Sequence, residues 1–237
     1  MAERDTEVYR VVETRVETPG VVTLALLHSS GTNPSFVPGQ FITVYFPETN
    51  TPEGKAYSIS SAPHEKTFSI TVRALGEFSN RLCALQVHDT LKASTPYGFF
   101  SPEKEDTNLV LLASGIGITP FRSMLFSFAQ DTPERRVALL HSVRTADDAL
   151  FREAFETLRT TMPNLSLTYY VTRDTASAPF AHTRRMHAKD ALPYCADQAQ
   201  TEVLLCGSIS FTRDLWRDLQ KNGVPEERIY TEAFFSQ

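Results

Sequence analysis

The sequence predicts a chain of two domains, an antiparallel β-sheet domain followed by an α/β domain. Two different residue patterns, one in each part of the chain, support this division. Over the first hundred residues, apolar and polar residues alternate in short runs between turn residues, which is typical of an antiparallel barrel or sandwich. Beyond residue 108, strand-like runs alternate with helical stretches, as in a doubly wound parallel sheet. The polar stretch SPEKEDTN (101–108) marks the junction, so the predicted domains are 1–103 and 104–237.

The first domain is predicted to contain six strands and one helix. Alternation with a period of two places the strands at 8–16, 21–27, 41–46, 56–60, 68–73 and 90–94. The helix is predicted at 78–85, with Asn80 and Arg81 facing solvent.

The second domain is predicted to alternate five strands with three helices. The strands are expected at 109–113, 136–142, 165–171, 202–206 and 228–231, and the helices at 120–130, 147–159 and 210–221. Ligands of such sheets bind beyond the carboxyl ends of the strands. Gly115, Thr172 and Cys206 fall at those ends.

The stretch LVLLASGIGITPFRSML (109–125) predicts a strand, a phosphate-binding loop and a helix. Gly115 and Gly117 allow backbone N–H groups to approach an anion, while Thr119 and Pro120 begin a helix whose positive end favours phosphate. Pro120 occupies the third glycine position of the G-x-G-x-x-G dinucleotide fingerprint, so the match to that motif is weak. Taken alone, the stretch is equally compatible with a tight turn that binds nothing.

Composition excludes several other classes of function. The chain has 23 Lys and Arg against 28 Asp and Glu, a net charge of −5, and therefore no overall basic footprint for nucleic acid. It contains no apolar run long enough to cross a membrane and no apolar signal core at its start, so a cytoplasmic location is expected. Three widely spaced cysteines argue against a disulfide framework or an iron–sulfur cluster, and no metal site is predicted.

Four motifs occur in a fixed order along nearly the whole chain, from about Pro38 to Phe235. They are KAYSISS (55–61), GIGITP (115–120), LCGS (205–208) and EAFF (232–235). Together they resemble the ferredoxin–NADP reductase superfamily. The resemblance implies a flavin-binding β-barrel followed by a nicotinamide dinucleotide-binding α/β domain, with FAD as the flavin.

On the flavin side, the resemblance implies that Tyr57 contacts the flavin ring and that Ser58 hydrogen-bonds near its N5 atom. Lys55 stands where the family usually has arginine, and lysine lacks the bidentate fork that binds phosphate. Weaker flavin binding is therefore expected. From the residues alone, an ordinary half-buried strand with a surface lysine remains an alternative.

Arg73 and the Gly76-x-x-Ser79 pattern resemble the second phosphate element of the family. Because this element binds a diphosphate, it favours FAD over FMN. Ser79 also has an independent reason to lie at a helix N-terminus, since serine is a good cap. A capping role alone is equally compatible with the sequence.

On the nicotinamide side, Cys206 is expected to end the strand VLLC, with Gly207 leaving its sulfur facing a crevice. The resemblance implies that this cysteine lies beside the nicotinamide and positions it, and that it is not a covalent nucleophile. A buried structural cysteine is the alternative.

Thr172 and Arg173 resemble the Ser-Arg pair that holds the 2′-phosphate of NADP in this family, which favours NADPH, with NADH as the alternative. Arg184 and Arg185 are expected to add positive charge, and Arg144 matches a family position near the cofactor. Against this assignment, Thr-Arg-Asp is a common turn and the following aspartate, if it pointed inward, would repel a phosphate.

The terminus resembles the Glu-x-aromatic end of the family, in which the aromatic ring covers the flavin until nicotinamide displaces it. Phe234 matches that position, although Phe235 or a simple core contact are alternatives. Glu232 is expected to act with Ser58 and Cys206 in aligning hydride transfer.

The function implied by this resemblance is a FAD-dependent NAD(P)H oxidoreductase that passes electrons from NADPH through FAD to a separate acceptor. A ferredoxin, a flavodoxin, an oxygenase component and a small molecule are all compatible acceptors. One alternative is an NAD(P)H:flavin reductase that releases reduced flavin, which Lys55 favours. The other is a non-catalytic, flavin-binding accessory subunit.

Overall fold

The computed structural model describes residues 6–104, 106–173, 180–197 and 200–234. These residues form two compact units. The first contains the described residues up to Ser101 together with Arg122–Ser127, and the second contains Pro102–Phe121 and the described residues from Phe128 onward. The predicted division into a flavin domain, 1–103, and a nicotinamide domain, 104–237, stays a prediction.

The first unit is an antiparallel sheet of six strands with one helix. The strands are β1 (Glu7–Thr18), β2 (Val21–His28), β3 (Phe41–Tyr45), β4 (Lys55–Ser58), β5 (Phe68–Arg73) and β6 (Thr90–Ala93), and the helix is α1 (Glu77–Cys83). The strand order is β4-β3-β6-β1-β2-β5. A further antiparallel bridge between Ile59 and Ile70 joins the two ends of this order, so the sheet closes as a barrel rather than opening as a sandwich.

The core of this unit consists of alternate strand residues and one face of α1. Its buried side chains include Tyr9, Val11, Leu24, Leu26, Ile42, Ile59, Phe68 and Ile70. In α1, Phe78 and Leu82 lie four residues apart on the buried face, and burying each stabilises the unit by roughly 2 kcal/mol. Asn80 and Arg81 are exposed, as predicted.

The second unit is built on a parallel sheet of six strands. They are β7 (Asn108–Ser114), β8 (Val137–Val143), β9 (Leu165–Val171), β10 (Ala181–His182), β11 (Thr201–Ser208) and β12 (Ile229–Phe234), in the order β10-β9-β8-β7-β11-β12. The helices in this part of the chain are α2 (Thr119–Asp131), whose residues Arg122–Ser127 belong to the first unit, α3 (Arg152–Leu158), α4 (Ala188–Ala191) and α5 (Ile209–Lys221). The predicted α/β fold class is therefore confirmed, with β10 and α4 as additional elements.

The helix predicted at 147–159 is wrong over its first turn. Thr145 and Asp148 close a separate short 3₁₀ turn, in which the Asp148 carboxylate accepts hydrogen bonds from the Thr145 backbone N–H and hydroxyl. Phe151 then adopts a left-handed conformation with φ of 60°, which a regular helix cannot contain. The α-helix therefore begins only at Arg152.

The central strands β7, β8 and β11 are nearly continuous buried apolar runs, as expected for a parallel sheet covered on both faces. In the parts of the chain that the structure describes, no helix has the length and apolar character needed to span a membrane.

Candidate functional site

The loop after β7 begins the candidate dinucleotide site. A 3₁₀ turn, Gly115–Ile118, follows Ser114 directly, and α2 begins at Thr119 with Pro120 as its second residue. Gly115 has a φ of 52°, and a Cβ added there would have no atom within 4 Å. The backbone at Gly115 therefore borders open space, which leaves room for an anion.

Gly117 is required for a reason that the sequence did not indicate. A Cβ added to Gly117 would overlap the carbonyl of Cys206 and lie 2.7 Å from the nitrogen of Gly207. At Gly207, φ is 157° and a Cβ would overlap the Ser114 hydroxyl. The two glycines thus allow the loop after β7 to pack closely against β11.

Cys206 lies inside β11 and is fully buried. Its neighbours across the sheet are Ala113 in β7 and Glu232 in β12, and its Sγ atom lies 4.0 Å from Oε2 of Glu232. Burial, with a smaller contribution from Glu232, raises the pKa of the Cys206 thiol well above its usual value. The thiol therefore stays neutral, which fits a positioning role better than a nucleophilic one.

The expectation that Cys206 ends its strand and faces a crevice is wrong. The strand continues to Ser208, because Gly207 and Ser208 pair with Ala233 and Phe234 of β12. The hydroxyl of Ser208 then accepts a hydrogen bond from the N–H of Phe211 and caps α5.

Arg144 and Arg173 follow neighbouring strands, β8 and β9, and are joined through their backbones. The N–H of Arg173 donates to the carbonyl of Arg144 at 2.8 Å, and the N–H and hydroxyl of Thr172 both donate to the carbonyl of Val143 at 3.1 Å. Both arginines are exposed. Two cationic side chains therefore extend from the carboxyl edge of the sheet, while the aspartate that follows Arg173 lies outside the described residues.

Arg184, in contrast to the expectation for it, is paired with a carboxylate. Its guanidinium group donates to both carboxylate oxygens of Asp190, at 2.7 and 2.8 Å, and lies 5.0 Å from the ring centre of Tyr170. The hydrogen bonds from Arg184 hold the pKa of Asp190 below its usual value. Asp190 thus offsets the charge that Arg184 was expected to add.

In the first unit, β4 carries the candidate flavin residues. Tyr57 is half-buried, and its ring stacks against Phe78 with centroids 6.4 Å apart and an interplanar angle of 20°. The Nζ atom of Lys55 lies 5.8 Å from the centre of the same Phe78 ring, and Ser58 is only 4% exposed. Packing therefore holds Tyr57 and Lys55 on one side of β4.

The second candidate phosphate element of this unit is the start of α1. Gly76 is the N-cap, and Ser79, the third residue of α1, accepts hydrogen bonds from the N–H groups of Leu75 at 2.8 Å and Gly76 at 3.1 Å. A Cβ added to Gly76 would have no atom within 4 Å, so this backbone too borders open space. Arg73, half-buried, ends β5 three residues earlier.

At the terminus, Glu232 and Phe234 lie in β12 and are half-buried. Phe234 pairs with Ser208. Phe235 lies outside the described residues, so the assignment of an aromatic ring over the flavin stays a prediction.

Comparison with known proteins shows which proteins this chain is similar to. Residues 111–216 match the oxidoreductase NAD-binding domain family. The chain is 31% identical over 206 residues to a glycine betaine monooxygenase reductase subunit of Chromohalobacter salexigens, covering 84% of this chain and 56% of that protein. Residues 111–216, which lie mostly in the second unit, therefore form an oxidoreductase NAD-binding domain.

Two solved structures have the same fold. One is the FAD/NAD-binding domain of a nitric oxide dioxygenase from Vibrio cholerae, with a TM-score of 0.86, 24% identity and coverage of 98% of this chain and 99% of that one. The other is a ferredoxin NADP+ reductase from Neisseria gonorrhoeae with bound FAD and NADP, with a TM-score of 0.78, 23% identity and coverage of 98% and 100%. These likenesses confirm the fold. The chain spans little more than half the length of the betaine reductase subunit.

The residues present fit the two dinucleotides that the resemblance implies. Each unit offers a glycine, Gly76 or Gly115, whose backbone borders open space. Arg73 ends β5 in the first unit, and Arg144 and Arg173 follow β8 and β9 in the second. Among the described residues, no three His, Cys, Asp or Glu side chains are grouped so that they would hold a metal ion.

A cluster of polar side chains that the sequence did not indicate lies next to the candidate flavin strand. The guanidinium group of Arg122 donates to the Ser60 carbonyl at 2.6 Å and to both carboxylate oxygens of Glu65 at 2.8 and 2.9 Å. The buried Ser123 hydroxyl donates to the Ser61 carbonyl at 2.6 Å. These contacts hold the segment that follows Ser58, and no local sequence signal indicates them because the partners are about sixty residues apart.

Arg81, exposed as predicted, also has two partners. Its guanidinium group pairs with Glu48 and lies 4.4 Å from the centre of the Phe46 ring. This pairing reduces the charge that Arg81 would offer to an acceptor protein.

Proposed function

We propose that this chain is a FAD-dependent NAD(P)H oxidoreductase that transfers electrons from NADPH through FAD to a separate acceptor. The observation that carries the proposal is the carboxyl edge of the parallel sheet in the second unit. There the open backbone of Gly115, the buried neutral thiol of Cys206 and the exposed Arg144–Arg173 pair follow or lie in neighbouring strands. An extended ligand with a diphosphate and a further phosphate matches this arrangement.

Each part of this edge has a distinct role in binding the nicotinamide cofactor. The first N–H groups of the turn at Gly115 bind the diphosphate, with Gly117, Thr119 and Pro120 shaping the turn. Arg173, supported by Thr172 and Arg144, binds the 2′-phosphate, because a guanidinium group matches phosphate geometry. Cys206 and Glu232 orient the nicotinamide ring, with Gly207 letting the strand approach closely.

The first unit holds the flavin. Bound FAD supplies the redox chemistry, since it accepts a hydride and releases electrons singly. Tyr57 provides a rigid aromatic surface for the ring, and Ser58 donates a hydrogen bond near N5. Lys55, Arg73 and the Gly76–Ser79 turn bind the diphosphate, and Phe234 covers the ring. Ser58, Cys206 and Glu232 would orient the bound cofactors for hydride transfer.

The acceptor is proposed to be a separate oxygenase component or a ferredoxin-type protein. The similarity to a monooxygenase reductase subunit supports this choice. A cytoplasmic location also stays a prediction.

One specific observation favours a flavin reductase as a second candidate. Lys55 stands where an arginine would bind the flavin phosphate with two hydrogen bonds, and its Nζ atom lies over Phe78. A weaker hold on FAD is the property that an enzyme releasing reduced flavin requires. The accessory-subunit alternative lacks such support, because the open backbone at Gly115 and the exposed Arg144 and Arg173 favour binding of a nicotinamide cofactor.

An anaerobic titration of the purified protein with NADPH, and separately with NADH, tests the proposal. Bleaching of the flavin absorbance band by near-stoichiometric NADPH is the expected result. A colourless protein that oxidises NADPH only when free flavin is added would instead establish a flavin reductase. A coloured protein that neither cofactor bleaches would contradict both enzymes and favour an accessory subunit.

The Arg173→Ala variant tests the preference for NADPH. We expect the KM for NADPH to rise about tenfold, equivalent to about 1.4 kcal/mol, because a charge-assisted hydrogen bond to the 2′-phosphate is lost. The KM for NADH, which lacks this phosphate, is expected to stay unchanged. Equal changes for both cofactors would remove the 2′-phosphate assignment.

A further inference from the structure

A fully buried histidine lies beneath the loop Gly115–Ile118. His141 is in β8, paired with Ala113 of β7 on one side and Tyr169 of β9 on the other, and has no exposed surface. Its Nε2 atom lies 3.0 Å from the carbonyl oxygen of Gly115. Because a carbonyl oxygen only accepts hydrogen bonds, Nε2 must carry the proton.

The place of His141 in the sheet makes this contact unusual. In β8, Leu139, Leu140 and Val143 around it are buried apolar residues, as the centre of a parallel sheet requires, and Ser142 is partly buried. A polar ring in such a position costs free energy unless it is hydrogen-bonded. The bond to Gly115 supplies that compensation and ties the interior of the sheet to the loop.

The contact determines how the loop presents its N–H groups. In a planar trans peptide, the carbonyl and the following N–H point in opposite directions. With the Gly115 carbonyl held by His141, the N–H of Ile116 must point away from the histidine. Gly115 has a positive φ of 52° and no side chain, so without a donor beneath it the peptide is free to rotate.

The ring of His141 is itself held by aromatic packing. Its centroid lies 6.2 Å from that of Tyr169 at an angle of 59°, and Tyr169 in turn meets Phe180 edge-on at 5.7 Å. The Tyr169 hydroxyl is buried and has no hydrogen-bond partner within the described part of the chain. Tyr169 therefore acts on His141 through packing, and its hydroxyl provides a matched control.

We propose that His141 is a positioning residue for dinucleotide binding. It holds the Gly115 carbonyl towards the sheet, so that the N–H groups at the start of the turn face the diphosphate of NAD(P)H. This inference rests on the proposed function of the loop. His141 touches neither the cofactor nor the reacting atoms, and acts through the backbone of Gly115.

The test compares three variants of the full-length, FAD-loaded protein. His141→Leu removes the donor, His141→Gln keeps a side-chain N–H donor, and Tyr169→Phe removes only the hydroxyl and keeps the ring. In the Leu variant we expect the Kd for NADPH to rise about tenfold, as the loss of one organising hydrogen bond implies. The Gln variant is expected to recover part of that affinity, and the Phe variant to bind as the wild type does.

Two further readouts separate positioning from a general loss of structure. The rate of flavin reduction at saturating NADPH is expected to change less than the KM in the Leu variant, and its flavin spectrum to stay that of the wild type. In the Leu variant without nucleotide, amide hydrogen exchange over 114–119 is expected to be faster than in the wild type. NADPH affinity and exchange equal to those of the wild type would overturn the proposal.

Wild-type protein with isotope-labelled histidine nitrogens provides a measurement that does not depend on the folding of a variant. Nitrogen NMR is expected to show His141 with its proton on Nε2 and protected from solvent exchange. The other tautomer would overturn the proposal. A wild-type protein that fails to bind NADPH would reject the proposed function, whereas equal binding by the wild type and the Leu variant would reject the role of His141.

Discussion

The two candidate phosphate loops of this chain are held by different kinds of contact. In the first unit, the turn at Gly76 is organised by Ser79, whose hydroxyl accepts from Leu75 and Gly76 within the same few residues. In the second unit, the loop after β7 depends on distant residues, because Gly117 packs against the backbone of Cys206 and the Gly115 carbonyl accepts from His141.

This difference has a physical consequence for each loop. A turn held by its own side chain keeps its shape when more distant parts of the unit change. Removing that side chain lowers the free energy of unfolding by about 1 kcal/mol, as the loss of one helix cap does. A loop held from below by two other strands forms only when those strands are in register. We therefore expect the second loop to be far more sensitive to substitution than the first.

The largest effect is expected for Gly117→Ala. The added Cβ would overlap the Cys206 carbonyl, and because this backbone cannot move without disturbing β11, we expect the free energy of unfolding to fall by about 3 kcal/mol. Urea denaturation followed by the fluorescence of Trp216, the single tryptophan, which packs against the core of the second unit, measures the change.

Gly31→Ala is the matched control for Gly117→Ala. Gly31 has a φ of 84°, so alanine is strained there, yet its Cβ would have no atom within 4 Å. We expect a loss of about 1 kcal/mol from backbone strain alone. Because Gly117 has no positive φ, its loss must come from the overlap with β11, and a loss no larger than that at Gly31 would contradict the expected difference between the loops.

An intermediate effect is expected for Glu65→Gln in the first unit. Burial favours the neutral acid, but the hydrogen bonds and charge of Arg122 outweigh it and hold the pKa of Glu65 below its usual value. A carboxyl with a lowered pKa stabilises the fold above its unfolded pKa, and this stabilisation disappears as the pH falls through the folded value. We expect the variant to lose about 2 kcal/mol at pH 7.

Denaturation followed by circular dichroism between pH 7 and pH 3 measures this loss. The curves of Glu65→Gln and the wild type are expected to converge as the pH falls, because protonation removes the same charge from the wild type. Glu156→Gln, at an exposed pair with Arg159, is the control and should change stability little. A difference independent of pH would show that the charge of Glu65 is not its source.

The smallest effect is expected for Ser79→Ala. The variant removes the acceptor of the Leu75 and Gly76 N–H groups, and loss of such a cap costs about 1 kcal/mol. We also expect Ser79→Ala to retain less FAD after gel filtration than the wild type does, while its affinity for NADPH stays unchanged. Asn80→Ala, an exposed change in the same helix, should leave both unaltered. A larger loss than for Gly117→Ala would reverse the comparison.

Sequence patterns predicted the fold well wherever the signal was local. The strand at 68–73 has the predicted bounds, and the α2 helix differs from its predicted range by one residue at each end, because Thr119 and Pro120 are reliable start signals. The predicted helix start at 147 is wrong. The cap between Thr145 and Asp148, followed by the left-handed Phe151, interrupts a stretch of good helix formers.

The candidate site was predicted less completely than the fold. The positions of Gly115, Arg144 and Arg173 at strand ends follow from the pattern of a parallel sheet. The burial of Cys206 did not, because it depends on pairing of β11 with β12 beyond the expected strand end. Neither Arg122 nor His141 carries a local signal, since their partners are remote in sequence.

By itself, the sequence determined the elements, the order of the two domains and the types of side chain at the ends of the strands. These follow from periodicity, capping and turn chemistry, which act over a few residues. The tertiary structure alone decided why position 117 must be glycine, why Cys206 is neutral and why a histidine lies in an apolar strand. Each of these depends on close packing between strands that are distant in sequence, and such packing is established only when the sheet forms.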